Sequence, residues 1–253
     1  VSKVKHVMQK DPISVHVDTP LDEVAQIIEK YDLVAIPVLD SIGRLVGQIT
    51  VDDVMDEVRE QSERDYQLAS GLSQDVETDD NVFRQTTARL PWLIIGMLGG
   101  IGNSMILGNF DATFAAHPEM ALYIPLIGGT GGNLGTQSSA LIVQGLANSS
   151  LDSKNTLKQV AKEAVVALIN ATIISLLVYT YNFIRFGAMA TVTYSVSISL
   201  FAVVMFASIF GTLVPMTLER LKIDPAIATG PFIAITNDII GMMLYMGITV
   251  LLS

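Results

Sequence analysis

The chain has 253 residues, of which half are hydrophobic and 16% are charged, with 25 acidic residues, 15 basic residues and no cysteine. A soluble domain of this size carries more charge, an acidic chain is a poor match for nucleic acid, and a chain without cysteine has no disulfides or thiolate metal sites. The charge is uneven, because residues 1–90 hold 18 of the acidic and 9 of the basic residues. An acidic first third therefore precedes a long apolar remainder, and that first third favours cations as partners.

Residues 1–58 alternate between strand and helix patterns. The alternating and β-branched runs predict three strands, at 13–17, 33–39 and 45–49. Thr19 is the expected N-cap of a helix with Pro20 at its first position, and Thr50 is expected to cap a second helix that begins at Val51. The predicted order is β-α-β-β-α, a small α/β unit.

A charged, amphipathic stretch leads from this unit into the apolar part of the chain. We expect it to form a long connecting helix over residues 59–88. Its beginning and the helix before it are rich in carboxylates, among them Asp53, Asp56, Glu57, Glu60 and Asp65. Most charge runs of this kind are solvated helix faces, but carboxylates clustered beside a membrane are also a candidate cation site.

Five long apolar segments follow, at 90–110, 120–147, 164–184, 186–218 and 226–253. A membrane-spanning helix needs about 20 predominantly apolar residues, so each segment is long enough to span. The predicted fold class is an α-helical membrane protein with five transmembrane helices in residues 89–253. We expect it to lie in the lipid bilayer of the plasma or inner cell membrane.

The basic residues of the short loops set the expected orientation. All but one fall before the first segment, between the second and third, and between the fourth and fifth: Arg84, Arg89, Lys154, Lys158, Lys162, Arg220 and Lys222. Arg185 alone lies between the third and fourth. The positive-inside rule then places the N-terminus in the cytoplasm and the C-terminus outside. Because the chain begins at Val1 rather than Met, we expect sequence upstream of it. Because the first apolar run begins near Leu90, we expect no cleavable signal peptide.

Asp238 is the one charged residue of the last apolar segment. A carboxylate at mid-membrane depth costs roughly 2.5–3.5 kcal/mol on insertion scales, and none of the five segments offers a Lys or Arg to pair with it. A cation or a water-filled path explains such a residue, and Thr236 and Asn237 beside it would add oxygen ligands. The alternative is a protonated Asp238 that is hydrogen-bonded to hydroxyl groups between helices.

A glycine-rich, polar run occupies residues 128–137 of the second apolar segment, with the sequence GGTGGNLGTQ. Polar, glycine-rich backbone at membrane depth is tolerated where it lines a cavity. Close packing between helices is the alternative, since small residues allow it. The run is not a nucleotide-binding loop, because it has no P-loop lysine and Leu134 stands where the last glycine of GxGxxG belongs.

Both candidate sites offer oxygen ligands and neither contains His or Cys. Hard cations such as Mg²⁺ and Ca²⁺ prefer oxygen, and Mg²⁺ dehydrates reluctantly, so one carboxylate with bound waters suits it. One Asp238 per chain supplies little charge, and a homodimer with two copies on one axis would double it. The histidines, His6, His16 and His117, are not spaced as a metal pair and are expected to be structural or surface residues.

Four motifs of the apolar part resemble those of the MgtE family of magnesium transporters: RLPWL at 89–93, GGTGGNLGTQ at 128–137, IDPA at 223–226 and TND at 236–238. The resemblance covers residues 90–253. It implies a homodimeric, Mg²⁺-selective pore in which the hydrated ion meets Asp238 from both subunits. It also implies positions along or near the path for Asn133, the backbone of Gly132, Thr236, Asp224 and Glu163.

Residues 1–58 resemble one CBS repeat, the second half of a CBS pair, with residues 47–53 similar to its closing signature. The resemblance implies that Thr50 and Asp53 would meet the ribose and phosphate of a nucleotide such as ATP. It further implies a regulatory Mg²⁺ site, at which cytosolic Mg²⁺ closes the pore. Its expected ligands are Asp53, Asp56, Glu57, Glu60 and Asp65, whereas Gln61 and Arg64 replace acids of the family pattern.

Several other functions are alternatives to a magnesium channel. A transporter of Mn²⁺ or Co²⁺ and a non-conducting regulatory subunit both stay open. An intramembrane metalloprotease would need an HExxH motif, which is missing. A chloride channel would need more spans and would not favour a central carboxylate. We therefore expect a protein that is not an enzyme, with Mg²⁺ as both substrate and regulator.

Overall fold

A computed structural model of the chain describes residues 8, 12–147, 151 and 156–252. His6 and Lys154, both named above, lie outside these described residues. The chain divides into two compact units between Asp65 and Tyr66.

The first unit is a small sheet with two helices. Its elements are β1 (Val15–His16), α1 (Leu21–Tyr31), β2 (Ala35–Leu39), β3 (Leu45–Thr50) and the larger part of α2 (Val51–Ala69). The strand order is β1-β2-β3, with β1 parallel and β3 antiparallel to β2. The core consists of Val15, Val24, Ile28, Ile36 and Val54, all buried. The predicted order β-α-β-β-α is confirmed.

The two predicted helix starts differ in outcome. The first helix begins at Leu21 with Pro20 as its N-cap residue, so the prediction of Thr19 as N-cap was wrong by one residue. The Thr19 hydroxyl accepts a hydrogen bond from the His16 amide at 3.0 Å instead, and so serves the preceding turn. The second helix begins at Val51 as predicted.

The stretch between the units is not one helix. The α2 helix ends at Ala69, and Gly71 follows with a φ of +81°, a left-handed conformation that glycine adopts without strain. The next helix, α3, begins at Val82, where the Asn81 side chain caps the amide of Arg84 at 2.9 Å. The expected single connecting helix over residues 59–88 was therefore wrong, because a turn at 70–81 interrupts it.

The second unit is helical. Its elements are α3 (Val82–Gly108), α4 (Asp111–Ala116), α5 (Ile124–Ala147), α6 (Thr156–Phe186), α7 (Thr191–Arg220) and α8 (Pro231–Leu252), with 3₁₀ helices at Pro118–Tyr123 and Pro225–Ala228. The α7 helix packs against α5, α6 and α8. Its buried face carries Val196, Leu200, Val203 and Val204, which lie at the centre of the core.

Four helices of the described chain, α3, α6, α7 and α8, are long and apolar enough to cross a membrane. The α5 helix has 24 residues but is not one of the four. Its run of Gly, Thr, Asn, Gln and Ser explains this, since these residues lower its hydropathy. The structure thus supports a membrane-spanning helical protein, and the predicted count of five spans stays a prediction.

The outer surfaces of α3 and α6 are apolar. Leu93, Met97 and Met105 of α3 are exposed, as are Leu176 and Ile184 of α6. Exposed apolar surface of this extent is expected against lipid or against another protein chain. The inner side of α3 packs against α8, where a β-carbon at Gly99 would collide with the side chain of Ile235.

Candidate functional site

Asp238 lies two turns into α8, in an apolar helix with no other charge. Its side chain is half-buried. Within the described part of the chain, the carboxylate has no hydrogen-bond or ion-pair partner. An ionisable group of this kind in a membrane-spanning segment is a candidate functional residue, because no partner among the described residues offsets the free-energy cost of placing a carboxylate there.

Asp238 borders a cavity of about 370 Å³ between α3, α5 and α8. The polar side chains that line it are Asp238, Asn133, Thr136 and Asn103. The rest of the lining is glycine and apolar side chains: Ile124, Pro125, Gly128, Gly129, Gly132, Ala234 and Met242. The cavity wall therefore combines apolar side chains and glycine with a few oxygen-bearing side chains, one of which is a carboxylate.

Two glycines of α5 make room for this carboxylate. A β-carbon at Gly132 would lie 3.3 Å from Oδ1 of Asp238, and one at Gly128 would lie 3.4 Å from the same atom. The two positions are four residues apart, so they share one face of the helix. The glycines of this face let the α5 backbone lie directly against the carboxylate.

Two other glycines of the same run serve packing instead. A β-carbon at Gly131 would lie 2.9 Å from Val203 of α7, and one at Gly135 would lie 2.9 Å from Ile233 of α8. The backbones of Gly135 and Gly211 also touch, because a β-carbon at Gly211 would collide with the Gly135 carbonyl oxygen. Both explanations of the glycine-rich run hold, each for a different face of α5.

The structure brings only some of the predicted pore residues together. Asn133 and Gly132 line the cavity with Asp238, and Thr236 does not line it. Asn237 is buried against Gly135, away from the cavity, and its amide has no hydrogen-bond partner among the described residues. Asp224 is exposed and accepts a hydrogen bond from the Ala226 amide at 2.8 Å, so it caps a 3₁₀ helix.

Two cavity residues, Asn103 and Thr136, were not predicted as site residues. The Thr136 hydroxyl donates to the backbone carbonyl of Asn133 at 2.8 Å, which leaves its oxygen able to accept. Asn103 lies well inside an uncharged apolar segment whose other amide, Asn109, caps the end of α3, so its position is the signal that could have identified it. Glu163 lies on α6 and accepts a hydrogen bond from Ser138 of α5 at 2.6 Å, which ties these two helices together.

The predicted regulatory carboxylates lie along α2, where several have partners. Arg64 is 3.1 Å from a carboxylate oxygen of Glu57 and 3.4 Å from one of Glu60. Asp65 accepts a hydrogen bond from the Gln61 side chain at 2.7 Å. In the described residues of this single chain, no three carboxylate or histidine side chains group to hold a metal ion.

Thr50 and Asp53, the predicted nucleotide-binding residues, are hydrogen-bonded to each other. The Thr50 hydroxyl and amide donate to the Asp53 carboxylate at 2.5 Å and 3.0 Å, and the Asp53 amide donates back to the hydroxyl at 3.4 Å. These bonds to the charged form hold the pKa of Asp53 below its usual value. The arrangement is a reciprocal cap of α2.

Of the histidines, His117 lies 3.5 Å from the Glu119 carboxylate and does not line the cavity.

Comparison with known families matches both units. The CBS domain matches residues 4–60, and the family described as "MgtE: Divalent cation transporter" matches residues 124–248. The first match falls within the small α/β unit, and the second runs from the start of α5 into α8 and includes Asp238. The chain belongs to the MgtE family.

Curated relatives extend this match over nearly the whole chain. The chain is 33% identical over 246 residues to "Magnesium transporter MgtE" of Bacillus subtilis (strain 168), which covers 97% of the chain and 54% of the relative. It is 33% identical over 257 residues to the protein of the same name from Thermus thermophilus, with 99% of the chain and 56% of the relative covered. The relative from Enterococcus faecalis is 30% identical over 251 residues. The chain spans about half the length of the relatives it matches.

Proposed function

We propose that the protein is a channel for Mg²⁺ across a cell membrane, with Asp238 on the ion's path. The observation that carries the proposal is the unpartnered carboxylate of Asp238 in a cavity lined by α3, α5 and α8. The names of the three relatives support Mg²⁺ as the ion. A carboxylate, amide oxygens and backbone are the ligand types that hard cations prefer.

The size of the cavity suits a hydrated ion. Octahedral Mg²⁺ holds six waters, and six waters at about 30 Å³ each occupy about 180 Å³. The cavity of about 370 Å³ has room for such an ion with its water shell. Because Mg²⁺ gives up its waters reluctantly, we propose that Asp238, Asn133 and Gly132 meet the ion through them.

The proposed assembly is a homodimer with five spans per subunit. The domains are a CBS repeat over 1–58, a connection over 59–88 and a transmembrane part over 89–253. The N-terminus lies in the cytoplasm and the C-terminus outside, which Lys158, Lys162 and Arg220 support through the positive-inside rule. A second copy would bring a second Asp238 and would cover part of the apolar surface of α3.

We propose that cytosolic Mg²⁺ also regulates the channel through the carboxylates of α2, which are Asp53, Asp56, Glu57, Glu60 and Asp65. Two copies of this acidic helix repel each other, and bridging ions would draw them together and favour the closed state. The distance between the two α2 helices, measured against Mg²⁺ concentration, tests this, and an unchanged distance would contradict it. ATP at Thr50 and Asp53 stays a prediction, which direct ATP titration of the chain would test.

The first experiment is Mg²⁺ uptake into proteoliposomes by the chain and by its Asp238→Asn variant. We expect the variant to lose at least about tenfold in uptake, because the amide keeps the size of the side chain but removes the charge that attracts the cation. Asp111→Asn is the matched control, since Asp111 is exposed on α4 and does not line the cavity. Equal uptake by both variants would leave a channel but remove Asp238 from its path.

The same assay separates the alternatives. Competition by Mn²⁺ and Co²⁺ tests whether another divalent ion is the better substrate. No uptake of any divalent ion by the folded parent chain would support a non-conducting regulatory subunit.

A further inference from the structure

We propose that Asn103 of α3 is a further residue of the cation path, where its amide oxygen accepts a hydrogen bond from the water shell of the ion in the cavity that Asp238 also lines. This inference rests on the proposed function. It adds α3 to a site whose predicted cavity-lining residues lie on α5 and α8.

The position of Asn103 follows from how α3 packs. Gly96 and Gly99 are the points at which α3 meets Ile235 of α8, with a β-carbon at Gly96 placed 3.8 Å from the Ile235 side chain. Asn103 lies four residues after Gly99 and therefore on the same face of the helix. One turn beyond that contact the helices leave open space, and Asn103 lines the cavity there.

The amide of Asn103 has no partner of its own. As placed, its Oδ1 atom is out of reach of water and forms no hydrogen bond within the described residues, so the amide must turn about its last side-chain bond to present this oxygen to the cavity. A buried polar atom without a partner is costly, and more so where no bulk water reaches it. Turning the amide toward the cavity removes this cost if the cavity holds a group that donates a hydrogen bond to the oxygen.

A hydrated divalent cation supplies the missing partner. The waters bound to Mg²⁺ are held tightly and are polarised by the ion, so they donate strong hydrogen bonds. An amide oxygen accepts such a bond without adding charge to the site. Asp238 of α8 then provides attraction, while Asn103 of α3 contacts the water shell.

The test measures Mg²⁺ uptake by the full chain in proteoliposomes over a range of Mg²⁺ concentrations. Asn103→Leu should raise the half-saturating Mg²⁺ concentration about tenfold, the loss expected for one hydrogen bond to a charged partner. Asn103→Asp, which has the same shape and adds a charge, should lower it. Ser104→Ala is the matched control, because Ser104 is the next residue on α3, is exposed and does not line the cavity.

A merely structural role would change other quantities. It would lower the maximal uptake or the yield of folded protein and leave the half-saturating concentration as in the parent. An unchanged half-saturating concentration in either variant, leucine or aspartate, overturns the inference. The parent chain and Asp238→Asn are measured alongside. If the parent does not take up Mg²⁺, the proposed function itself fails, whereas a conducting parent with unaffected Asn103 variants refutes only the role of Asn103.

Discussion

Gly132 of α5 and Asp238 of α8 lie so close together that a β-carbon at position 132 would be 3.3 Å from the carboxylate Oδ1. This separation is shorter than an ordinary van der Waals contact between carbon and oxygen. A methyl group there would also stand 3.8 Å from Ala234, the residue one turn before Asp238. The glycine therefore leaves space both for the carboxylate and for anything the carboxylate binds.

We predict that Gly132→Ala lowers Mg²⁺ uptake about tenfold or more while the protein still folds. The added methyl displaces the Asp238 side chain by a few tenths of an ångström and takes up space beside it, and small displacements of a binding group are expensive. Gly247→Ala on α8 is the control, since its β-carbon would meet no atom within 4 Å. Uptake by Gly132→Ala equal to that of the control would show that the carboxylate does not need this space.

Much of the fold could be predicted because its signals are local. Strand alternation and helix caps depend on neighbouring residues, and a spanning helix needs only a long apolar run. Asp238 stood out for the same reason, as a single charge in α8. The end of α2 at Ala69 could not be predicted, because the charge pattern continues past it. The helix ends there because Gly71 adopts a left-handed conformation. A β-carbon at Gly71 would also lie only 2.7 Å from the side chain of Pro231, which is distant in sequence.

Only some of the residues that line the cavity could be predicted from the sequence. Asn133 and Asn237 are both polar residues in glycine-rich or carboxylate-bearing motifs, and nothing local separates them. Neighbouring residues on a helix point about 100° apart, so Asn237 faces Gly135 while Asp238 faces the cavity. Which face of α8 meets α5 is set by packing between helices distant in sequence. The same packing brings Asn103 to the cavity.

Gly230, which directly precedes α8, lies in close contact with the end of α2. Gly230 has a φ of +51°, and a β-carbon there would collide with the carbonyl oxygen of Ala69 at the end of α2. We predict that Gly230→Ala lowers the free energy of unfolding by at least about 3 kcal/mol, from backbone strain together with the collision. Thermal unfolding of the detergent-solubilised chain would measure this.

Gly187→Ala is the matched variant for that prediction. Gly187 also has a left-handed φ, of +90°, but a β-carbon there would meet no atom within 4 Å. It should therefore show the strain alone, roughly 1–2 kcal/mol. Equal losses from the two variants would mean that the contact between Ala69 and Gly230 contributes nothing beyond the glycine conformation.

The cap of α2 by Thr50 and Asp53 should make the N-terminal unit sensitive to acid. Hydrogen bonds from the Thr50 hydroxyl and amide lower the pKa of Asp53 below its ordinary 3.8. A carboxylate whose pKa is depressed by folding contributes stability above its unfolded pKa and loses it as the pH falls through the folded pKa. We therefore predict that Asp53→Asn weakens α2 at pH 7, and that the difference from the parent shrinks below about pH 3.8.

Hydrogen exchange of the amides at residues 51–60, compared between parent and variant at each pH, would measure this difference. Asp18→Asn, which removes an exposed carboxylate of the same unit, is the control and should exchange like the parent throughout. Protection that differs between parent and Asp53→Asn by the same amount at pH 3 and pH 7 would contradict the prediction. That result would mean that the charge of Asp53 does not account for the difference, since only the protonation of the parent changes across this range.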